Sequence, residues 1–342
     1  MPGLLSTVQD LGRRGYRRYG ISPQGAVDPF SLRVANLLVG NPLGAAAVEI
    51  TLGEAAFEAE EETVVALTGA AAEVRIDSCP VPEWEALPLP LGSRLEVGPC
   101  LSGARVYLAL AGGVDVPPVM GSRSTDLVGG FGGLEGRALR SGDLLKAGKE
   151  GLAGEGKTAA GLAGRYFPPG LRPRCGGEAR ARVVAGPQAD WFDGKDWEAF
   201  LSAAYIVTPR WDRMGFRLEG PSFRRVAGRE MVSEGVVTGS VQVPPGGQPL
   251  VMLAGHQTLG GYPKPAVVAS VDHGLIGQLR PGDSLCFQKV GLDEARLLLA
   301  AQEKILQEGV ILQRRDIGKK GIGRSFLVKV GGRQYRVELE EL

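Results

Sequence analysis

At 342 residues the chain is longer than a typical single domain, so two domains are expected. Lysine and arginine number 39 against 38 acidic residues, which leaves no global field to draw nucleic acid or an anionic membrane. The two histidines and the four scattered cysteines (Cys79, Cys100, Cys175 and Cys286), with no CxxC pair, argue against a zinc-finger or zincin-type metal site. No run approaches the roughly 18 to 20 apolar residues that span a bilayer. Met1-Pro2-Gly3-Leu4-Leu5, followed by Gln9, Asp10 and several arginines, lacks the form of a signal peptide. The expectation is a cytoplasmic protein with reduced thiols, no metal, no nucleic-acid partner and no membrane.

The 52 glycines and 23 prolines, set between short apolar stretches, indicate many turns and a mainly β fold. A helix is predicted over Pro29–Leu38, with Asp28 as its cap and Pro29 where no donor is needed. Strands are predicted at 63–67, ending toward Gly69, and at 105–110, ending at Gly112. A segment rich in Gly, Ala and Pro between Lys149 and Gly177 marks a boundary. Beyond it, strands are predicted at 181–184, 236–243, 249–253 and 266–268, with a helix over 191–203. A last helix is predicted over 293–308, its face carrying Ala295, Leu298, Leu299, Gln302, Ile305 and Leu306 and its stop at Gly309. After a Gly- and Lys/Arg-rich linker, residues 326–330 and 334–340 read as a hairpin around Gly331-Gly332.

Two landmarks recur about 140 residues apart and in the same order. Leu108-Ala109-Leu110-Ala111-Gly112 matches Val251-Met252-Leu253-Ala254-Gly255, and Leu139-Arg140-Ser141-Gly142-Asp143 matches Leu279-Arg280-Pro281-Gly282-Asp283. They point to two related β domains, over about 1–160 and 178–290, with a tail over 291–342.

Four stretches could carry chemistry. Gly255-His256-Gln257-Thr258-Leu259-Gly260-Gly261-Tyr262-Pro263-Lys264 follows a strand and gathers backbone donors, an amide, a hydroxyl and a cation, a set suited to an oxyanion or polarised carbonyl. It is equally readable as a β-turn with a solvated Lys264. Tyr19-Gly20-Ile21-Ser22-Pro23-Gln24-Gly25-Ala26-Val27-Asp28 ends at a helix start and suits a carboxylate or phosphate, or is a plain turn and cap. In Gly121-Ser122-Arg123-Ser124-Thr125-Asp126, Arg123 among hydroxyls suits an anion; the run Gly129-Gly130-Phe131-Gly132-Gly133 lacks a Walker ending and reads better as a rim loop. Finally Arg213, Glu234 and Gln242 sit among strand residues, where Arg213 and Glu234 form either a structural ion pair or part of a substrate surface.

Together with Thr7-Val8-Gln9-Asp10-Leu11-Gly12-Arg13 and Ala35-Asn36-Leu37-Leu38-Val39-Gly40-Asn41, these motifs resemble a family known as the C subunit of 5-oxoprolinase, allophanate hydrolase subunit 2, KipA and biotin-dependent carboxyltransferase. The resemblance runs from about residue 3 to 290 and implies two cyclophilin-like β barrels. It implies two partners, a KipI-like B subunit with a YcsF/LamB-type A subunit, in an ATP-dependent complex, with Mg, that opens 5-oxoproline to glutamate. It also allows carboxyl transfer from biotin on a separate carrier to urea or a related amide, or a non-catalytic regulator that binds a KipI-type kinase inhibitor. The isolated chain is expected to be inactive. In every enzymatic case the substrate is a small amide. Lys264, Arg123, Gln257 and Arg213 are the catalytic candidates; Ser22, Gln24, Asp28, Gln242, Thr258, Tyr262 and His256 are the substrate-binding ones. Gly255-His256 stands where the family leads one to expect an acidic and a basic residue. Residues 326–340 resemble the leading hairpin of a biotin carrier segment, with no Ala-Met-Lys-Met site after it.

Overall fold

A computed structural model describes residues 1–150, 159–224, 230–309, 311–314, 324–330 and 333–339. The first half is a branched seven-stranded sheet: β1 (Leu5–Gln9), β2 (Ala47–Thr51), β3 (Gly53–Glu58), β4 (Thr63–Ile76), β5 (Cys79–Pro80), β6 (Ala86–Leu89) and β7 (Arg94–Leu110), with path order β1-β2-β7-β4-β5 and β3 on β7, β6 on β4. The strands predicted at 63–67 and 105–110 are the ends of the much longer β4 and β7. Gly69 does not stop β4. It has φ +97, and a Cβ there would lie 2.3 Å from the Arg105 carbonyl oxygen, so the glycine permits a register shift that carries the pair onward.

Helix α1 (Pro29–Leu38) forms as predicted, with the Ser31 N–H donating to Asp28 Oδ1 at 3.0 Å. It packs on the back of this sheet with Trp84, Tyr107 and Phe167, while Val48, Ile50, Leu67, Val106 and Leu108 fill the front. A short pair, β8 (Gly112–Val114) with β9 (Ala147–Glu150), follows; the predicted boundary segment falls partly outside the described residues.

After α2 (Ala159–Leu162) and β10 (Arg165–Tyr166), the second half forms a closed barrel. Its strands are β11 (Glu178–Ala185), β12 (Ala204–Trp211), β13 (Gly215–Glu219), β15 (Ser240–Gln242), β16 (Leu250–Met252), β18 (Ala266–Val268) and β19 (Ser284–Lys289), with β14 (Glu234–Gly235) and β17 (Leu259–Gly260) paired outside it. A parallel β11–β19 ladder closes the ring. Of the strand predicted over 236–243 only β15 forms, because residues 236–239 make the turn that leads out of β14. Helix α3 (Gly194–Ser202) begins later than predicted, since Asp193 caps it by accepting from the Asp196 N–H at 2.8 Å. Short α4 (His273–Gly277) has no clear sequence signal. Helix α5 (Leu292–Gln307) presents the predicted face, of which Leu306 is fully buried.

The two Gly-Asp turns share one local geometry. In both Arg140-Ser-Gly-Asp143 and Arg280-Pro-Gly-Asp283 the aspartate accepts from the arginine N–H, at 2.7 and 3.0 Å, and the glycine has φ +89 or +93. The tail strands β21 (Arg324–Val330) and β22 (Arg333–Leu339) form the predicted hairpin, in the register Phe326↔Val337 and Val328↔Tyr335. It is not isolated: β21 pairs with β20 (Leu312–Arg314), which pairs with β10. Most of the basic linker, the Gly331-Gly332 pair and Glu340 lie outside the described residues.

Candidate functional site

The sequence candidates divide into three places. On the barrel rim, Lys264 is not a solvated turn residue. It is 3% exposed, and its Nζ donates to Glu234 Oε1 at 2.6 Å. Gln188 completes the arrangement: its Nε2 donates to the same Oε1 at 2.7 Å, and its Oε1 accepts from the Lys264 backbone N–H at 3.0 Å. The β14–β17 ladder sets Glu234 opposite Gly260, and the Val236 N–H donates to the Thr258 carbonyl at 3.0 Å. Gln242 lies behind Gly260, fully buried, its Nε2 without a hydrogen-bond partner among the described residues. A Cβ on Gly260 would stand 2.4 Å from that nitrogen, so a side chain there would have to displace the Gln242 amide. Hydrogen bonds from Lys264 and Gln188 hold the Glu234 carboxyl below its ordinary pKa, and it is ionised at neutral pH. Tyr262 is exposed and opens onto a cleft of about 280 Å³ with Met231, Val243, Pro245 and Pro263.

A second group lies where the two halves meet. Arg213 is 7% exposed and pairs with Glu49, not with Glu234; its Nη2 donates to the Gly25 carbonyl at 2.6 Å. Burial lowers its pKa to about 10, so it remains a cation. Glu49 Oε2 accepts from the Val27 N–H (2.9 Å) and the Tyr107 hydroxyl (2.7 Å), and Arg105 Nε stands 4.0 Å from Oε1. Asp28 is consumed as a cap and as the acceptor of Gln278 Nε2 at 2.9 Å. The reading of Arg213 that the geometry favours is thus a tie between halves. Beside it, Gln24 adopts a left-handed φ of +52, and its Oε1 would lie 3.3 Å from a Cβ on Gly255. His256 is buried, its Nδ1 2.6 Å from the Gln257 carbonyl; because a carbonyl only accepts, Nδ1 carries the proton. Burial chiefly, and the nearby Arg17 charge, lower its pKa, and the Gln257 contact only partly opposes this. Ser22 Oγ and His256 Nε2 are buried and have no hydrogen-bond partner among the described residues.

The third group centres on Asp10, which belongs to a sequence motif but carries no signal of a site by itself. Asp10 accepts from Gly12 N (2.7 Å), Ser122 Oγ (2.7 Å), Ser124 Oγ (2.5 Å) and Arg123 N (2.6 Å). The loop is thereby fixed, and Arg123 directs its Nε to the Val116 carbonyl at 2.9 Å. Arg13 links this loop to the second group: its Nη2 donates to the Ser124 carbonyl and its backbone N–H to the Pro23 carbonyl at 2.8 Å. The structure joins the Arg123 loop to the Ser22–Asp28 loop, and that loop to Gly255 and His256. Gln257 and Thr258 lead from there along the chain to the Lys264 rim. Glu49 and Gln188 were missed because a lone acidic or amide residue in a strand or loop has no sequence signature. A wider hollow of about 1070 Å³ on the first sheet, lined by Val48, Val65, Leu108 and Leu139 among others, contains none of the candidates.

The model of the carboxyltransferase domain, subdomain A and B, matches residues 19–289. The chain belongs to this carboxyltransferase family. All the candidate residues, from Ser22 to Lys264, fall inside the matched span. Among similar proteins, the C subunit of 5-oxoprolinase from Escherichia coli is 41% identical over 90% of this chain and 95% of its own length. The Haemophilus influenzae protein of the same name is 34% identical over 89% and 94%. Urea amidolyase of Saccharomyces cerevisiae is 32% identical over 92% of this chain but only 18% of its own length. The solved urea amidolyase of K. lactis superposes with a TM-score of 0.83 at 28% identity, covering 96% of this chain and 22% of that one. The mainly β fold with its closed barrel is thus that of a carboxyltransferase module, and no helix among the described residues is long and apolar enough to cross a membrane.

Proposed function

We propose that this chain is the C subunit of an ATP-dependent 5-oxoprolinase. It acts with a KipI-like B subunit plus a YcsF/LamB-type A subunit to open 5-oxoproline to L-glutamate. The observation that carries this reading is the 41% identity, across 95% of the relative's length, to the C subunit of a 5-oxoprolinase. The site suits a small amide: an ionised carboxylate, a buried ammonium and amide groups converge on the rim, with arginines close by at the junction. We infer a cytoplasmic location, in keeping with four free thiols.

Two glycines of the 129–133 run are not free to cradle a nucleotide's phosphates: a Cβ on Gly132 would lie 2.2 Å from the Ser124 carbonyl oxygen and one on Gly133 1.9 Å from Thr125 Oγ1, so both are spent on packing. No ATP step is assigned to this chain, and ATP with Mg falls to the partner subunits. The isolated chain is inactive on this reading.

The deciding experiment is ATP hydrolysis by the complex reconstituted from the three subunits, with and without 5-oxoproline. Stimulation with stoichiometric glutamate release supports the proposal; its absence refutes it. The second reading, carboxyl transfer from a biotin carrier to urea, is favoured by the structural match to urea amidolyase over 96% of the chain. Carboxylation of urea by carboxybiotin carrier in the presence of the complex tests it directly.

A further inference from the structure

The rim contains an acceptor that the pattern of hydrogen bonds leaves unused. Both donors to Glu234, Lys264 Nζ at 2.6 Å and Gln188 Nε2 at 2.7 Å, take the same oxygen, Oε1. Among the described residues Oε2 has no hydrogen bond, and the Glu234 side chain is 43% exposed although the Lys264 side chain is only 4% exposed. Two donors on one oxygen orient the carboxylate and keep it charged, which turns the other oxygen outward as a fixed anion. Across the β14–β17 ladder, Gly260 faces Glu234, and against Gly260 rests the unpartnered Nε2 of Gln242. An acceptor and a donor thus flank one backbone position. The outward Oε2 is the acceptor that an amide N–H requires.

We propose that Glu234 is the group of this chain that takes the substrate's amide N–H, and that Gln188 is its positioning residue. This rests on the reading of the substrate as a small amide, and it applies to a lactam and to urea alike, because both carry the N–H. Glu234 acts by accepting the hydrogen bond through Oε2, which directs electron density to the amide nitrogen. Gln188 acts only through Glu234, by holding Oε1 together with Lys264 and tying the carboxylate to the Lys264 backbone.

The test uses the reconstituted complex and two ligands of one shape: 5-oxoproline and its γ-lactone analogue, in which a ring oxygen replaces the N–H. Binding is measured by calorimetry, and turnover by glutamate release. Wild type is expected to bind the lactam on the order of 10- to 100-fold more tightly, because the lactone sets an oxygen against a carboxylate. Glu234→Gln, whose amide can donate as well as accept, is expected to bring the two ligands within about threefold. Gln188→Ala retains the ion pair and therefore the fold. It is expected to lower kcat about tenfold and to move the acid limb of the kcat/KM profile to higher pH, since a donor to the charged carboxylate is lost. Wild type that binds the lactone as well as the lactam overturns the proposal. So does a Gln188→Ala enzyme with an unmoved acid limb, or a Glu234→Gln enzyme with undiminished preference. If wild type binds both ligands with the expected preference yet releases no glutamate, the 5-oxoprolinase reading fails while the assignment of Glu234 stands.

Discussion

Arg213→Met removes one cation from the buried network between the halves and leaves the packing volume nearly unchanged. Arg213 Nη1 pairs with Glu49 Oε1, and Nη2 satisfies the Gly25 carbonyl at 2.6 Å. Glu49 is 1% exposed, and the other cation near it, Arg105 Nε, stands at 4.0 Å, too far for a hydrogen bond. Breaking one side of a buried pair costs about 3–5 kcal/mol, because the remaining charge is stranded. At roughly 2.1 cal/mol/K per residue, a chain of this length has an unfolding entropy near 0.7 kcal/mol/K, so the melting temperature falls by about 4–7 °C. The double variant Arg213→Met/Glu49→Gln recovers much of that loss, since the neutral amide oxygen still accepts from Val27 N and Tyr107. Differential scanning calorimetry of wild type, both single variants and the double variant forms the cycle. A single variant within about 1 kcal/mol of wild type, or a double variant whose loss equals the sum of the two, refutes the account of a buried, charge-balanced tie.

Asp10→Asn keeps the shape of the hub but gives it one donor in place of an acceptor among four N–H and O–H groups; the loss is expected at about 2–4 kcal/mol, with faster proteolysis of the 121–126 loop, and unchanged cleavage would argue that the loop is held elsewhere. Lys264→Met is expected to abolish turnover by the complex while co-purification with the partner subunits persists; retained turnover would displace the site from the barrel rim. His273 is held neutral by burial, its pKa near 4 in the folded protein against about 6.5 unfolded, so its contribution is complete above about pH 6.5 and is lost as pH falls through 4, roughly 3 kcal/mol in all. Glu83 runs the other way: burial raises its pKa to about 7, so the folded state binds its proton more tightly and stability falls as pH rises from about 4.5 through 7. The two slopes oppose each other in wild type, and Glu83→Gln is expected to unmask the acid-side loss in melts between pH 7 and 4.5; a flat Glu83→Gln profile would remove His273 from the balance.

The sequence by itself determined much of the local structure. Asp28-Pro29 set the start of α1, the two strand-like runs near the end of the chain predicted the β21–β22 pairing, and the two Gly-Asp motifs predicted two turns of like geometry. These are short-range effects, readable because capping, turn formation and periodicity depend on neighbours in the chain. Lys264, Gln242 and Thr258, all singled out in the sequence, stand around the one β14–β17 ladder. What each charge does was decided by tertiary structure. Arg213 pairs with Glu49 from 164 residues away and not with Glu234, Asp28 is spent on a cap and on Gln278, and Lys264 is buried against a carboxylate instead of solvated. Gln188, 76 residues from Lys264, joins it only because β11 and β18 are barrel neighbours. A charged side chain has the same composition and local pattern whether it caps, ties or catalyses. Only the folded chain decides which oppositely charged group comes within reach, and how little water is left between them.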